Sequence, residues 1–264
     1  MPLLLIVESK VISRSLNFLS SLFRGKGDDD RPTENDISQQ KKIQDSSTNE
    51  RVWPLPESWK AFETYIDIHP TAVIDASSTL NIPLLPIGPH CCLKIGAGSH
   101  IFGKFHLQKS NARIIIGDRC HIGSSTFIAT KEINIADDVI VSWGCVFADG
   151  SNHSLHWSER CKDVTIFREE YLEHKGHAVG RYHDWSNVPV EKITIGPKVW
   201  ISFNCIILKG VSIHEEAVIG AGAVVTRSVP PCTFAAGNPA RPRKKLFMSE
   251  SACESPGFSN GSIS

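Results

Sequence analysis

Aliphatic side chains recur at every sixth residue in the C-terminal part of the chain. The longest unbroken run is Ile195, Ile201, Ile207, Ile213, Ile219 and Val225. A helix repeats every 3.6 residues or so and a strand every two, so neither element alone has this period. A fixed short period indicates a solenoid. One hexad makes a flat side of a triangular coil, and three hexads close a coil of about 18 residues.

The same period occurs earlier in the chain, with breaks in phase between groups. The residues predicted to point inward there are Ile68, Ile74, Leu80, Ile95, Ile101, Leu107, Ile116, Ile122, Ile128, Ile135, Val141 and Phe147. Four places after such an aliphatic the residue is usually small, as an inner corner requires. The cysteines predicted to take this corner position are Cys91, Cys120, Cys145 and Cys205. We therefore predict an all-β fold, a parallel β-helix over residues 52–248, with a long inserted loop at 154–190 where the period is lost.

The two ends of the chain have a different character. Residues 1–24 place apolar side chains at roughly helical spacing, which predicts a short amphipathic helix. We expect this helix to pack on the protein or on a neighbour, with a peripheral membrane contact as the alternative. Residues 25–51 and 249–264 are polar, and we expect a disordered linker and a disordered tail there.

Charge and cysteine content exclude several classes of function. The 28 basic and 28 acidic side chains cancel, whereas a general nucleic-acid binder needs a basic surplus. The eight cysteines form no C-x-x-C pair and no zinc-type quartet with histidine, so we expect neither a metal nor a disulfide framework. His100, His106 and His121 fall at outward-pointing hexad positions, which argues against a converged metal site on the coils. A reduced, cytoplasmic setting fits these features.

Longer motifs resemble a known family. The [LIV]-G-x-x-[small]-x repeats, with IGPKVWISFNCIILKGVSI and VIGAGAVVT…GNPA, are similar to the hexapeptide-repeat acyltransferases. VSWGCVFADGSNHS (141–154) and HDWSNV (183–188) resemble motifs of the sugar O-acetyltransferases of exopolysaccharide or colanic-acid-type synthesis. The resemblance implies a left-handed β-helix, a homotrimer with active sites between neighbouring prisms, acetyl-CoA as co-substrate, and a sugar or glycan acceptor.

Acetyl transfer to a hydroxyl needs a base that takes the hydroxyl proton. His153 matches the family's catalytic histidine, and imidazole titrates near working pH. His156 is the nearest alternative. Asp149 is a candidate for orienting the base, with a solvated turn residue as the alternative. Gly150 stands where the family often has a first histidine, so either the acceptor differs from that of relatives or the chain is inactive.

The resemblance also implies the residues that hold acetyl-CoA. Trp200 would flank the acetyl and pantetheine channel, and the main-chain N–H of Phe203 would face the thioester. Ser202 stands where glycine is usual in the family. A basic cluster after GNPA suits the phosphates of CoA. The predicted CoA-binding residues are Trp200, Phe203, Ala221, Gly222, Thr226, Arg227, Arg241 and Lys244.

The acceptor site is predicted around the inserted loop. Flat aromatic faces suit sugar rings, and carboxylates suit sugar hydroxyls. The main candidates are Trp143, Trp157, Asp184 and Trp185, and the loop adds Arg160 and Asp163. For the two loop tryptophans, anchoring of the loop to the prism is the alternative role.

We therefore predict an acetyl-CoA-dependent sugar O-acetyltransferase. Two alternatives stay open: an N- or O-acetyltransferase that uses a serine or amino-sugar acceptor, and a catalytically inactive structural β-helix. The hexads do not separate these functions, because they specify the scaffold and not the acceptor.

Overall fold

The computed structural model describes residues 51, 53–82, 91–175 and 182–246. The predicted N-terminal helix and the predicted tail at 249–264 lie outside the described residues, as does the predicted linker up to residue 50. Within the described residues, every helix is too short or too polar to cross a bilayer.

The described part of the chain is built mainly from short strands. A 3-10 helix at Glu57–Tyr65 precedes the first strand. The strands before the insertion are β1 (Ile66–Ile68), β2 (Val73–Ile74), β3 (Thr79–Asn81), β4 (Leu93–Ile95), β5 (His100–Leu107), β6 (Arg113–Ile116), β7 (His121–Ala129), β8 (Glu132–Ile135), β9 (Ile140–Val141) and β10 (Val146–Ala148). After helices α1 (Trp157–Arg160) and α2 (Asp163–Glu173) follow β11 (Ile193–Ile195), β12 (Trp200–Ile201), β13 (Ile206–Leu208), β14 (Ser212–Ile213), β15 (Val218–Ile219), β16 (Val224–Val225), β17 (Thr233–Ala236) and β18 (Arg241–Lys245).

The strands stack in parallel into three faces of a prism. The first face contains β1, β4, β6, β8, β11 and β14 in that order. The second runs from β2 through the first parts of β5 and β7 to β9, β12, β15 and β17. The third joins β3, the later parts of β5 and β7, β10, β13 and β16. The predicted solenoid of parallel strands is confirmed, while its left-handed winding stays a prediction from the resemblance.

The prism interior is filled by the hexad aliphatics and by a column of phenylalanines. Phe105, Phe127 and Phe147 stack on one another with ring centroids 5.2 and 4.7 Å apart. The predicted inward position of Ile128 was wrong, because Phe127 is fully buried and Ile128 is only half-buried. Strands β5 and β7 continue around the corner between two faces without a turn, so the six-residue phase shifts there.

The corner prediction holds for three of the four cysteines. Cys120, Cys145 and Cys205 are buried, and burial at such a small site is typical of a free cysteine. Cys91 was assigned wrongly, since it is only half-buried and Leu93 is the fully buried residue two places before Ile95. The corner before the first face therefore accommodates a larger side chain than the other corners do.

The N-terminal end of the prism is closed by the 3-10 helix. Trp59 is fully buried, packs edge-on against Phe105 at 5.8 Å, and donates its indole N–H to the carbonyl of Ser78 at 3.2 Å. A buried indole with its N–H satisfied covers the first coil without leaving an unpaired polar group.

The chain leaves the coil after β10 and returns at β11. Its exit and re-entry are held together by an antiparallel bridge between Gly150 and Val190, with the N–H of Ser151 bonded to the carbonyl of Pro189 at 3.1 Å. The segment predicted as a loop contains α1 and α2. A Cβ added at Gly150 would lie 2.9 Å from Oγ1 of Thr130, so close packing favours glycine at this position.

Candidate active site

His153 lies directly beyond the exit from the coil and is held by a buried carboxylate. Its Nδ1 is 2.6 Å from Oδ2 of Asp163, the first residue of α2. The His153 side chain is 48% exposed, whereas that of Asp163 is 10% exposed. A carboxylate at Nδ1 favours the tautomer that carries its proton on Nδ1, which leaves Nε2 as a proton acceptor. This is the geometry of an oriented general base.

The turn before His153 has an uncommon backbone. Asn152 adopts a φ of 62°, in the left-handed region that asparagine tolerates better than most residues. Ser154, the residue after His153, is buried. Its hydroxyl bonds to Glu159 and accepts the N–H of His156 at 3.1 Å. Arg160 donates to the carbonyl of Leu155 at 2.7 Å. These bonds fix the loop that carries His153.

A second histidine faces the same carboxylate. The side chain of His183 is 1% exposed, and its Nδ1 is 3.7 Å from Oδ1 of Asp163, which is too far for a hydrogen bond. Phe167 stacks on its ring at 5.4 Å, and Trp185 meets the ring edge-on at 4.5 Å. Neither ring nitrogen of His183 has a hydrogen-bond partner within the part of the chain that the structure describes.

Asp149 does not orient His153. Its carboxylate is fully buried and accepts the backbone N–H groups of Thr130 at 2.6 Å, Lys131 at 2.8 Å and Glu132 at 2.6 Å. Burial raises the pKa of this carboxyl, and the three N–H donors oppose the rise. Asp149 is therefore neither next to His153 nor a solvated turn residue, and the carboxylate that contacts His153 is that of Asp163.

Substitution of Asp149 by asparagine is expected to destabilise the fold by about 1–3 kcal/mol. The amide keeps one acceptor oxygen but turns an NH₂ group towards backbone N–H donors, so at least one buried donor loses its partner. Urea unfolding monitored by circular dichroism measures the change. Asp184→Asn, at an exposed position, is the matched control and should unfold like the wild type. Equal stability of all three proteins would contradict this stabilising role of Asp149.

Two of the predicted ligand-binding aromatics lie together at a corner of the prism. The rings of Trp143 and Phe203 are 5.3 Å apart and nearly parallel, at 6°, and both are exposed. The N–H of Asn204 bonds to the carbonyl of Trp143 at 2.9 Å, and the N–H of Gly222 bonds to the carbonyl of Phe203 at 2.9 Å. Three neighbouring coils are thus in register at this corner.

Trp200 and Gly222 border the same outer surface. Trp200 is 48% exposed and pairs in register with Ile140 and Val218 on the second face. Gly222 has a φ of 68°, and a Cβ added there would meet nothing within 4 Å. Ala221 beside it is also exposed. The surface directly outside Gly222 is therefore open.

Ser202 stands where glycine is usual in the hexapeptide-repeat acyltransferases that the sequence resembles. It is buried, and its carbonyl accepts the thiol of Cys145 at 3.1 Å. Its N–H donates to the carbonyl of Ile219 at 2.9 Å. Serine in this position is therefore part of the coil packing.

The basic candidates lie at the C-terminal end. Thr226 and Arg227 are exposed just after β16, and Arg241 and Lys244 are exposed on β18, which pairs antiparallel with β17. A groove of about 1010 Å³ at this end is lined by Glu215, Pro230, Pro231, Cys232, Thr233, Pro242, Arg243, Lys244, Lys245 and Leu246. Lys244 lines the groove with two further cations, whereas Arg241 is not among its lining residues.

The predicted acceptor residues divide into two groups. Trp157 is exposed, with the guanidinium of Arg160 5.6 Å from its ring centre. Asp184 is exposed, and bonds from the N–H and hydroxyl of Ser186 lower the pKa of its carboxyl. Trp185 is half-buried against His183. Trp157 and Asp184 are thus exposed to solvent, while Trp185 packs within the insertion.

A small cavity lies among these loop residues. It measures about 140 Å³ and is lined by Ser154, Ser158, Glu159, Arg160, Lys162, Asp163, Ile166, Asp184 and Asn187. Ligand pockets usually measure about 300–1,000 Å³, so this cavity is too small for a complete glycan acceptor site.

Sequence reasoning missed that Asp163 and His183 lie beside His153. Asp163 was an acceptor candidate, and His183 was only the first letter of the HDWSNV motif. Ten residues separate His153 from Asp163 and twenty more separate Asp163 from His183, so no short motif joins them. An available signal was helical spacing, since Asp163 and Phe167 lie one turn apart on α2 and both contact His153.

Comparison with known proteins agrees with the repeat architecture. Residues 192–227 match the family described as bacterial transferase hexapeptide (six repeats), and residues 113–146 match the hexapeptide repeat of succinyl-transferase. The chain is 34% identical over 125 residues to a galactoside O-acetyltransferase of Escherichia coli, covering 47% of this chain and 53% of that protein. It is 29% identical over 139 residues to a chloramphenicol acetyltransferase of Agrobacterium fabrum, covering 53% and 54%.

The chain thus spans about half the length of these two curated relatives. Among solved structures, a mutant of AntD, an N-acyltransferase from Bacillus cereus in complex with dTDP and coenzyme A, superposes with a TM-score of 0.53. That match covers 73% of this chain and 91% of AntD at 16% identity, which supports the fold alone.

Proposed function

We propose that this hexapeptide-repeat protein transfers an acetyl group from acetyl-CoA to a sugar hydroxyl, with Nε2 of His153 as the general base. One observation carries the proposal: the exposed His153 ring is held through Nδ1 by the buried carboxylate of Asp163 at 2.6 Å. An oriented imidazole beside the exit from a hexapeptide coil is suited to taking the proton of an incoming hydroxyl. The sequence similarity to acetyltransferases supports the same chemistry.

The proposed reaction conserves its proton. Nε2 of His153 accepts the hydroxyl proton while the hydroxyl oxygen attacks the thioester carbonyl. The tetrahedral oxyanion then collapses, the carbon–sulfur bond breaks, and the imidazolium returns the proton to the CoA sulfur. Asp163 is a positioning residue, since it fixes the ring and stabilises the imidazolium. The resemblance implies that the main-chain N–H of Phe203 faces the thioester, where it would support the oxyanion.

The donor is proposed to lie along the outside of the coil. Gly222 and Ala221 leave room for the pantetheine arm, and Trp200 would flank it. The cations at the C-terminal end, including Lys244, would meet the phosphates of CoA. Thr226 and Arg227 are exposed just after β16, and Arg241 is exposed on β18. We include these three residues in the proposed phosphate-binding set.

A homotrimer is proposed to complete the site. Large apolar side chains are exposed on the second and third faces and at the corner between them, and such exposure is typical of a surface that a partner covers. These side chains are Ile140, Trp143, Trp200, Phe203, Ile206 and Leu208. A second copy seated there would bring its own coil beside the insertion that carries His153. Trp157 and Asp184 would then meet the acceptor at the rim.

The first experiment is an acceptor screen. Purified full-length protein is incubated with acetyl-CoA, a chelator, and free, nucleotide-linked and lipid-linked sugars, with amino sugars and serine as further acceptors. Thiol release is followed, and mass spectrometry identifies the acetylated product. We expect acceptor-dependent thiol release and an ester product with a sugar. An amide product would show that the acceptor group is an amine and not a hydroxyl. No thiol release together with no CoA binding would overturn the enzymatic proposal.

A further inference from the structure

The side chains of His153, Asp163 and His183 converge, and this convergence extends beyond what a general base requires. One ligand atom from each residue lies within 4.8 Å of the other two. A base and its orienting carboxylate account for His153 and Asp163, but they leave the buried His183 without a role. We propose that these three side chains form a binding site for a divalent transition-metal ion of the Zn²⁺ class.

The donor set suits such an ion. Two imidazole nitrogens and one carboxylate oxygen are typical Zn²⁺ ligands, at about 2.0–2.2 Å from the metal. A tetrahedral ion with such bonds separates its ligand atoms by about 3.3 Å. Nδ1 of His153 is 2.6 Å from Oδ2 of Asp163, and Nδ1 of His183 is 3.7 Å from the other oxygen, Oδ1, so the two histidines bracket the carboxylate at distances near that value. Small side-chain movements would therefore complete three of four tetrahedral positions.

The state of His183 is the independent observation. Its side chain is 1% exposed, and both ring nitrogens lack a hydrogen-bond partner among the described residues. A buried polar group without a partner is unfavourable, and a cation bound at Nδ1 would satisfy one of the two ring nitrogens. Phe167 and Trp185 pack against the ring and hold it with Nδ1 near Asp163. The histidine is thus held with Nδ1 near Asp163, and the described side chains do not supply that nitrogen with a partner.

The bound ion would inhibit the proposed reaction. It would take Nδ1 of His153 in place of the hydrogen bond to Asp163, and the ring proton would then reside on Nε2. A metal-bound imidazole with its proton on Nε2 cannot accept a proton from a hydroxyl. This inhibition rests on the proposed function, whereas the binding of the ion does not.

The test measures the ion directly. Full-length protein is stripped with a chelator and dialysed against ZnCl₂, and the bound zinc is counted by elemental analysis. We expect one ion per chain. His183→Gln and Asp163→Asn should each weaken binding by about 100-fold or more, because loss of a ligand costs more than loss of an outer partner. His156→Ala, an exposed histidine on the same loop, is the control and should bind like the wild type.

Cobalt separates this site from the cysteines. Co²⁺ bound by nitrogen and oxygen shows visible d–d bands without the near-ultraviolet charge transfer of a thiolate ligand. We expect the bands in the wild type and their loss in His183→Gln. No stoichiometric binding, or binding that both ligand variants leave unchanged, would overturn the site. The unfolding curve of each variant shows whether lost binding reflects lost folding.

The activity arm stays separate from the binding arm. If an acceptor is found, saturating Zn²⁺ should lower its acetylation by about 10²-fold or more in the wild type, since the base is lost. His183→Gln, compared with its own metal-free rate, should resist this inhibition. Zinc binding by a protein that, when metal-free, neither transfers acetyl to any acceptor nor binds CoA would leave the metal site standing and the proposed function wrong. Acetyl transfer by a protein that binds no zinc would leave the proposed function standing and the metal site wrong.

Discussion

Replacement of His153 by alanine is expected to lower kcat for acetyl transfer by about 10²–10⁴-fold, the usual contribution of a general base. The side chain is exposed and stands outside the prism core, so the variant should fold like the wild type. KM for acetyl-CoA should change little, because the proposed donor residues lie on the coil and at the C-terminal end. Steady-state kinetics with the acceptor found in the screen measure both constants.

His156→Ala is the matched control for this measurement. His156 lies three residues further along the same loop, is exposed, and makes no side-chain contact with Asp163 in the described part of the chain. We expect its kcat to stay within a few-fold of the wild type. If instead His156→Ala loses activity and His153→Ala keeps it, the base is His156 and the pairing with Asp163 is structural.

The fold was predictable because each coil repeats the same physical requirement. An aliphatic side chain must fill the prism at each face, and a residue of limited size must fit at each corner. Ile195 through Val225 satisfy this rule without a break, and all of these predicted inward side chains are buried. Prediction failed at Ile128, where β7 passes the corner without a turn, and at Cys91, where the corner accommodates a larger side chain. Spacing alone does not reveal those local changes.

The candidate site was less predictable, because the insertion has no period. The motif identified His153, but its carboxylate partner depends on how α2 packs against the loop. Asp149, four residues away, was the nearer choice along the chain, yet its carboxylate is taken up by three backbone N–H groups. Contacts between non-repeating segments are set by tertiary packing, which a hexad pattern does not encode.

Substitution of Asp163 by alanine is expected to lower kcat by about 10²-fold, because a base held even slightly out of place loses much of its effect. Loss of the carboxylate also removes the preference for a proton on Nδ1, so a share of the molecules would present a protonated Nε2. KM for acetyl-CoA should again stay near the wild-type value. The kcat of Asp163→Asn should fall between the values for Asp163→Ala and the wild type, since its amide oxygen can still accept a hydrogen bond from Nδ1 of His153.

A double-mutant cycle distinguishes positioning from a general structural effect. If Asp163 acts only through His153, the double variant His153→Ala/Asp163→Ala should be no slower than His153→Ala alone. Asp149→Asn provides the contrast, because any effect that it has on activity should arise through stability and should multiply with that of His153→Ala. A loss at Asp163 that multiplied in the same way would show that this carboxylate supports the insertion and does not orient the base. Strong non-additivity is the expected result, because the only hydrogen bond that links Asp163 to a side chain in the described residues is the one to His153.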